Sequence, residues 1–136
     1  MPLPSGVVLA RCRAFVEGDF NLIYDSYHPD SFFRRLYPNR ESYLDYAREV
    51  LSGEFEIREC RILKEQTFTD EAWVLYYLDI LYQGTRRESF EYCRLGLLAG
   101  EWRFLTTQKI ERQDFSGAPE AIDWEDFERV EEKIIY

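Results

Sequence analysis

The fold of this chain is decided by residues 55–110, which read FEIREC RILKEQTFTD EAWVLYYLDI LYQGTRRESF EYCRLGLLAG EWRFLTTQKI. Apolar residues alternate along four runs of this stretch, as is typical of β-strands. Short polar turns separate the runs, at Thr69-Asp70-Glu71, Gln83-Gly84-Thr85 and Ala99-Gly100-Glu101. Because short loops that contain glycine favour hairpins, the sequence predicts four consecutive antiparallel strands.

The first of these runs changes phase in its middle. Phe55 and Ile57 have one parity, whereas Cys60 and Ile62 have the other. A strand that keeps an apolar face through such a change needs one extra residue, so we expect a β-bulge near Glu59.

The residues before this stretch predict three helices, because their apolar positions recur at helical spacing. Glycine and proline are expected to end these helices, and small polar residues to cap them. The expected starts lie near Ser5, Asp19 and Asn39, and the expected ends near Gly18, His28-Pro29 and Ser52-Gly53.

The last part of the chain is acidic. Ser116 to Pro119 forms a linker, and apolar spacing then predicts a C-terminal helix between Pro119 and Ile135. This helix is expected to pack on the domain or on a second copy; alternatively, the segment is mobile and binds a protein partner. The chain is thus divided into a domain of residues 1–113 and an acidic extension of residues 114–136.

Composition excludes several classes of function. A chain of 136 residues, 46% of them hydrophobic, can bury the core of one domain. Its net charge of -9 repels a phosphate backbone and anionic membrane surfaces, so neither nucleic acid nor membrane is an expected partner. The N-terminus has no signal-peptide pattern and no apolar run is long enough to span a bilayer, so we expect a cytoplasmic protein.

The three cysteines do not predict a metal site. Cys12, Cys60 and Cys93 are far apart and form no C-x-x-C pair, and we expect them to be reduced and largely buried. The sequence also lacks a glycine-rich phosphate loop and a nucleophile elbow. No cofactor and no metal ion are therefore expected.

Several short motifs together resemble a known family. They are Ala14-Phe15-Val16-Glu17-Gly18-Asp19-Phe20, Tyr27-His28-Pro29-Asp30-Ser31, and Glu91-x-Cys93-x-Leu95 ahead of Gly100-Glu101-Trp102-Arg103-Phe104. The chain resembles the nuclear-transport-factor-2-like (cystatin-like α+β cone) superfamily over residues 5–110. Within it, the chain is most similar to the YchJ-type domain that often accompanies SEC-C zinc motifs. It departs from that pattern at Cys93 and Leu95, where Ser and Phe are usual, and it has no cysteine-rich segment.

This resemblance implies an α+β fold in which three N-terminal helices pack on a curved, bulged antiparallel sheet of about four strands. In the superfamily, such a sheet and its helices enclose a pocket. We therefore expect a ligand pocket in this chain, with candidate lining residues Tyr24, Tyr27, Trp73, Tyr77, Glu91 and Cys93. Trp73, Tyr77 and Glu91 would share the concave face of the sheet with Asp79 if the strand register allows it.

Two residues are candidates for acid/base catalysis. His28, the only histidine, is expected at the pocket rim and has a suitable pKa. Asp79 interrupts an apolar strand, where burial raises the pKa of a carboxyl group as a general base requires. Both have structural alternatives, because the His28 ring can fix the His-Pro turn and Asp79 can pair with Arg61, Arg94 or Arg103.

Two functions follow from these features. The first is a pocket-containing domain that binds a small apolar ligand or mediates dimerisation, with no established activity. The alternative is a small isomerase or lyase that acts on a hydrophobic carbonyl compound, with Asp79 or His28 as general base. A homodimer through the sheet is also expected, because one set of aromatic side chains is too apolar for bare solvent: Tyr76, Tyr82, Phe90, Tyr92, Trp102 and Phe104.

Overall fold

The computed structural model describes residues 3–51 and 55–136, without the side chain of Phe55. Its first helix, α1, spans Pro4–Glu17. The helix begins two residues earlier than a cap at Ser5 would allow, because proline has no N–H to satisfy and has a suitable fixed φ at the first helical position. Gly18 ends α1 at a φ of 71°, as its sequence position predicts.

Three short helices follow, at Phe20–Asp25 (α2), Phe32–Leu36 (α3) and Arg40–Tyr46 (α4), the last continuing as a π-helical turn over Ala47–Leu51. Each begins at a polar side chain that accepts a hydrogen bond from a backbone N–H. The caps are Asp19, Ser31 and Asn39. The expected end of the third helix at Ser52-Gly53 lies outside the described residues.

The strands are β1 (Phe55–Thr67), β2 (Glu71–Tyr82), β3 (Thr85–Leu98), β4 (Glu101–Glu111) and β5 (Ile134–Ile135). They form one antiparallel sheet in the order β1-β2-β3-β4-β5. The four consecutive strands expected from the sequence are confirmed, and β5 adds a fifth. Two of the connections are two-residue turns with positive φ at both positions, as tight hairpins require: Gln83-Gly84 and Ala99-Gly100.

Register shifts interrupt the pairing at three places. The shift between Ile57 and Glu59 in β1 confirms the expected bulge. A second shift lies between Ile62 and Lys64, and a third lies opposite the Arg94/Leu95 step of β3. A bulge bends its strand locally and increases the twist.

The free edge of β4 is covered by two other segments. Near its start, the Phe104 N–H donates to the Ser26 carbonyl and the Phe104 carbonyl accepts from the His28 N–H, both at 2.8 Å. Near its end, β4 pairs with β5, and Thr107 exchanges two backbone hydrogen bonds with Tyr136. Paired backbone groups at a sheet edge cannot recruit another strand.

The sheet has one hydrophobic cluster on each face. On the helix side, Ala72, Val74 and Tyr76 of β2 pack with residues of α1, α2 and α4. On the opposite side, Leu75 and Tyr77 of β2 pack with residues of the C-terminal extension. The extension therefore contributes to the core rather than forming a separate unit.

The predicted C-terminal helix is wrong in its extent. Within residues 112–136 the structure has 3₁₀ turns at Arg112–Asp114 and Pro119–Ala121, a short helix α5 at Trp124–Glu128, and β5. Ile122 and Phe127 are both fully buried against the sheet. Residues five apart do not lie on one face of an α-helix, so a continuous helix would expose one of them.

The aromatic residues expected to be exposed are mostly buried. Tyr76, Phe90 and Phe104 are fully buried, and Trp102 is 4% exposed. Tyr92 is half-buried, because its ring packs on Trp124 and Phe127 of the extension. The chain thus covers its own sheet, and this set of residues no longer motivates pairing of two copies through the sheet. No helix in the described part of the chain is long and apolar enough to cross a membrane.

Candidate functional site

A cleft of about 140 Å³ lies between α1 and the helix-facing side of the sheet. Its apolar wall is formed by Phe15, Ile57, Leu78 and Ile80. Its polar lining comprises Arg11, Cys12, Tyr27, Ser89, Glu91 and Lys109, and Tyr136 of the C-terminus also contacts it. One helix and four strands therefore meet around this space.

Arg11 joins α1 to the sheet. Its side chain is buried, and it donates hydrogen bonds to the hydroxyls of Tyr27 at 2.9 Å and Tyr76 at 2.6 Å. The guanidinium also lies over the Phe104 ring, 3.8 Å from its centroid. A buried charge is unfavourable unless it is hydrogen-bonded or paired, and these contacts offset that penalty.

Glu91 is the buried carboxylate of the cleft. It lies on β3, opposite Tyr76 of β2 and Lys109 of β4, and is 2% exposed. Its Oε1 atom is buried and has no hydrogen-bond partner among the described residues. Burial raises the pKa of Glu91, while Arg11, Lys109 and hydrogen bonding with Tyr76 act in the opposite direction. A buried acceptor without a partner is an unfavourable feature of a folded chain and points to an occupant of the cleft.

The charges around the cleft are unequal. Two of its lining side chains, Arg11 and Lys109, are cationic, and one, Glu91, is anionic. Both cations act electrostatically to lower the pKa of Glu91. The side chains that line the cleft therefore carry more positive than negative charge.

Two cysteine thiols meet at the edge of the cleft. Cys12 of α1 lines the cleft and is 7% exposed, and its Sγ lies 2.9 Å from Sγ of Cys60 on β1. Cys93 on β3 is fully buried, and burial raises the pKa of its thiol to about 12. Three cysteines of one chain thus have different surroundings.

Of the six residues predicted to line a pocket, Tyr27 and Glu91 line the cleft. Cys93 lies on the same sheet face, packed in the helix-side core. Tyr24 is buried in that core too, and its hydroxyl donates to the Tyr37 carbonyl rather than lining the cleft.

The other two predicted pocket residues, Trp73 and Tyr77, lie on the opposite face together with Asp79. Glu91 does not share a face with them, because its partner on β2 is Tyr76. The expected common face of Trp73, Tyr77, Asp79 and Glu91 is therefore wrong. Trp73 donates its indole N–H to Glu71, and the Tyr77 hydroxyl donates to Glu88.

Asp79 is held by an arginine outside the cleft. Both of its carboxylate oxygens accept hydrogen bonds from Arg86, at 3.1 and 3.0 Å. The expected partners were Arg61, Arg94 or Arg103, whereas the actual partner, Arg86, lies at the start of β3, next to the β2–β3 turn. A bidentate pair of this kind fixes the orientation of the carboxylate.

His28 serves the turn in which it lies. Its ring nitrogen Nδ1 accepts a hydrogen bond from the backbone N–H of Asp30 at 3.0 Å. The backbone N–H of His28 donates to the carbonyl of Phe104 on β4. Its side chain also lies close to Gly96 of the sheet. The structure thus places His28 in the His-Pro turn and away from Glu91 and the lining of the cleft.

Arg11, Tyr76 and Lys109 were not predicted as site residues. Arg11 carried a signal, since it lies at helical spacing within the apolar stripe that contains Val8 and Phe15. A charged residue at such a position is either paired inside the fold or unfavourable. Its partner Tyr76 is 65 residues away, so the spacing alone does not identify it.

A larger groove of about 490 Å³ borders the β2–β3 turn and the end of β4. It is shallow, and two of the three arginines in its lining already have partners. Arg86 pairs with Asp79 and Glu88, and Arg112 donates to the carbonyls of Phe115 and Gly117. We therefore place the candidate site in the smaller cleft. Within residues 3–51 and 55–136, no three His, Cys, Asp or Glu side chains come together to hold a metal ion.

Comparison with known proteins supports the fold. No family model matches the sequence. No curated protein matches it either. A SEC-C motif containing protein from Rhodopseudomonas palustris has a similar solution structure, with 18% identity and a TM-score of 0.56 over 72% of this chain and 71% of that one. A protein of unknown function with a cystatin-like fold from Nostoc punctiforme, known from its crystal structure, has 15% identity and a TM-score of 0.51 over 74% of this chain and 82% of that one.

These similarities establish an α+β architecture like that of a cystatin-like fold. At such low identities they carry no activity from one protein to another. The SEC-C motif protein is of interest because the sequence motifs already resembled a domain that accompanies that motif. The nuclear-transport-factor-2-like assignment itself stays an interpretation.

Proposed function

We propose that this chain is a small-molecule-binding domain of the nuclear-transport-factor-2-like, cystatin-like type, and that the cleft under α1 is its binding site. The ligand is a neutral, mainly apolar molecule of about the size of a benzene ring that carries a hydroxyl group. The buried Oε1 of Glu91, which has no partner in the described structure, is the observation that carries this proposal.

The hydroxyl follows from the chemistry of Glu91. In its ionised form a carboxylate only accepts hydrogen bonds, so the partner of Oε1 in that form must be a donor. A hydrogen bond to a charged group contributes about 1.5–3 kcal/mol net, and leaving the acceptor unpaired forfeits that contribution. A ligand hydroxyl supplies the missing donor.

The neutrality follows from the charges of the lining. An ammonium group would also donate to Glu91, but it would lie among Arg11 and Lys109. Like charges in a poorly hydrated site repel strongly because the effective dielectric constant is low. A neutral hydroxyl supplies the donor without this repulsion.

The size follows from the volume of the cleft. An engineered apolar cavity of about 150 Å³ in another protein binds benzene. The present cleft is of similar volume, and Phe15, Ile57, Leu78 and Ile80 provide apolar contact. A single ring or a short branched chain fits, whereas a steroid does not.

Binding of matched ring compounds tests this proposal. We would titrate phenol, toluene and benzylamine into the ¹⁵N-labelled protein and follow backbone amide shifts at pH 7. Phenol is expected to bind roughly tenfold more tightly than toluene, with shifts at α1 and β3, and benzylamine, which is protonated, to bind least. Glu91→Gln should reduce the preference for phenol over toluene, whereas Glu125→Gln, an exposed carboxylate on α5, should leave it unchanged.

Two results would contradict the proposal. If none of the three compounds shifts residues of the cleft, the cleft is not a binding site. If benzylamine binds most tightly, the site selects a cation rather than a neutral hydroxyl. The Glu91→Gln variant keeps the size of the side chain and removes its charge, so it distinguishes an effect of the charge on binding from an effect of the space that the side chain fills.

The alternative function was an isomerase or lyase with Asp79 or His28 as base. Neither residue lines the cleft, so their positions give this function no support. A homodimer is a separate proposal, and it would need a surface other than the sheet face that the extension covers. Sedimentation velocity over a wide concentration range tests it.

A further inference from the structure

We propose that Cys12 and Cys60 form a redox modification site, at which a hydroperoxide oxidises the two thiols to a disulfide that links α1 to β1. The proposal is independent of what the cleft binds. It rests on the contact between the two sulfurs, on the access that the cleft gives to one of them, and on the cation beside it.

The geometry requires little movement. The two Sγ atoms are 2.9 Å apart, although the residues are 48 positions apart in the chain. A disulfide has a sulfur–sulfur bond of about 2.0 Å, so the sulfurs must approach by less than about 1 Å.

The two thiols are not equivalent. The hydrogen bond with Cys60 lowers the pKa of Cys12; Arg11 acts in the same direction, while burial opposes it. The same hydrogen bond and burial raise the pKa of Cys60. The thiolate is the reactive form of cysteine, and Cys12 follows Arg11 on α1 and lines the cleft, so we assign Cys12 as the nucleophile and Cys60 as the resolving thiol.

Cys12 is the member of the pair that lines the cleft. It is buried, and Cys60, which does not line the cleft, is the more exposed thiol of the two. A hydroperoxide is small enough to enter a space of about 140 Å³ and so to reach Cys12 from the cleft.

The reaction balances with a hydroperoxide as the oxidant. The Cys12 thiolate attacks one peroxide oxygen, so that an S–O bond forms and the O–O bond breaks; the departing alkoxide or hydroxide takes up a proton. The resulting sulfenic acid is then attacked by the sulfur of Cys60. The S–S bond forms, the S–O bond breaks, and water leaves with the Cys60 proton. Two thiols lose two electrons in total, and the peroxide gains them.

Cys93 provides a matched control within the same chain. It is fully buried in the helix-side core, its pKa is raised, and it does not line the cleft. It has the same side chain but neither the access of Cys12 nor the close contact with a second thiol that the other two share. The proposal therefore predicts that Cys93 stays reduced under conditions that oxidise the pair.

Peptide mass spectrometry of the native full chain tests this inference. After treatment with hydrogen peroxide and alkylation of remaining thiols, we expect a linked pair of peptides that contain Cys12 and Cys60, with Cys93 alkylated. Dithiothreitol should restore all three thiols. Because a disulfide restricts the unfolded chain, the oxidised protein should melt roughly 5–15 °C above the reduced protein.

The outcomes distinguish the proposal from general oxidation. In Cys60→Ala, Cys12 should be trapped as sulfenic acid, whereas Cys93→Ala should still form the disulfide. Recovery of Cys12 and Cys60 as alkylated thiols in the folded wild-type chain would overturn the proposal. So would linkage of either residue to Cys93 or to a second copy of the chain. The wild-type measurement decides the question even if a variant fails to fold.

Discussion

At the scale of single residues, the unusual feature is the carboxylate of Glu91, which is almost completely buried. The groups that face it are Arg11, Lys109, Tyr76 and Glu111. The cations favour its ionised form, but burial outweighs them, so that its pKa is raised in the folded chain. The ionised side chain therefore lowers the free energy of unfolding, and a charge that is buried at such a cost points to a function.

The raised pKa of Glu91 has a consequence for stability against pH. Below the unfolded-state pKa of about 4.3, Glu91 is protonated in both the folded and the unfolded state, so its ionisation does not change the free energy of unfolding. As the pH rises, the unfolded chain ionises first, so the free energy of unfolding falls until the folded-state pKa is passed. Glu91→Gln should therefore raise the melting temperature at pH 8 relative to wild type, with a smaller gain at pH 4. Thermal unfolding of both proteins at the two pH values checks this, and an equal or reversed difference would contradict it.

Arg11 should matter far more than its neighbours on α1. Arg11→Ala leaves Glu91 without its buried cation and two tyrosine hydroxyls without a donor, and should destabilise the fold by about 3–5 kcal/mol. Arg13→Ala, on the exposed face of the same helix, should change the free energy of unfolding by less than about 0.5 kcal/mol. Urea unfolding measures both, and similar values for the two variants would show that Arg11 is not buried and paired as described.

At the scale of residues, the expectation that Asp79 and Glu91 share one face of the sheet was wrong. A three-residue turn at Gln83-Gly84-Thr85 would place Glu91 opposite Tyr77. The actual turn has two residues, so Tyr82 pairs with Thr85 and Glu91 with Tyr76. A change of one residue in the register moves a side chain to the other face of a sheet, and Glu91 therefore lies on the face opposite to Asp79. The two-residue preference of tight hairpins with positive φ was the available signal.

At the scale of secondary structure elements, the C-terminal extension behaves as a cover for the sheet. Phe127 of α5 is fully buried against the face that carries Leu75, Tyr77 and Phe90. Phe127→Ala should destabilise the protein by about 3–5 kcal/mol, because it removes a buried ring and leaves a cavity. Phe32→Ala, at a phenylalanine that is 37% exposed, is the control and should have a much smaller effect. A small effect of Phe127→Ala in urea unfolding would mean that the extension is not docked.

Element boundaries were predictable where local chemistry decides them. Gly18, Asp19 and Asn39 mark helix ends and starts, and the parity change near Glu59 marks a bulge. The extension was mispredicted because its shape depends on the sheet beneath it. Its apolar residues have helical spacing over one stretch only, and contact with distant strands decides the rest of the path.

At the scale of the whole molecule, an acidic chain with a net charge of -9 encloses a cleft whose lining is more cationic than anionic. The sequence allowed the helix-then-sheet order and a pocket-forming family to be inferred. It did not identify the cleft, because Arg11, Tyr76 and Glu91 meet only after α1 packs on the sheet. Local patterns do not encode such contacts between distant segments.

A crystal structure of the protein soaked in phenol tests the central claim most directly. The account predicts a phenol ring between α1 and the sheet, against Phe15, Leu78 and Ile80, with its hydroxyl about 2.5–3.0 Å from Oε1 of Glu91. Two results would contradict the claim that a ligand hydroxyl donates a hydrogen bond to Oε1 of Glu91. One is a phenol molecule bound elsewhere, and the other is a cleft in which the Lys109 side chain occupies the place beside Oε1.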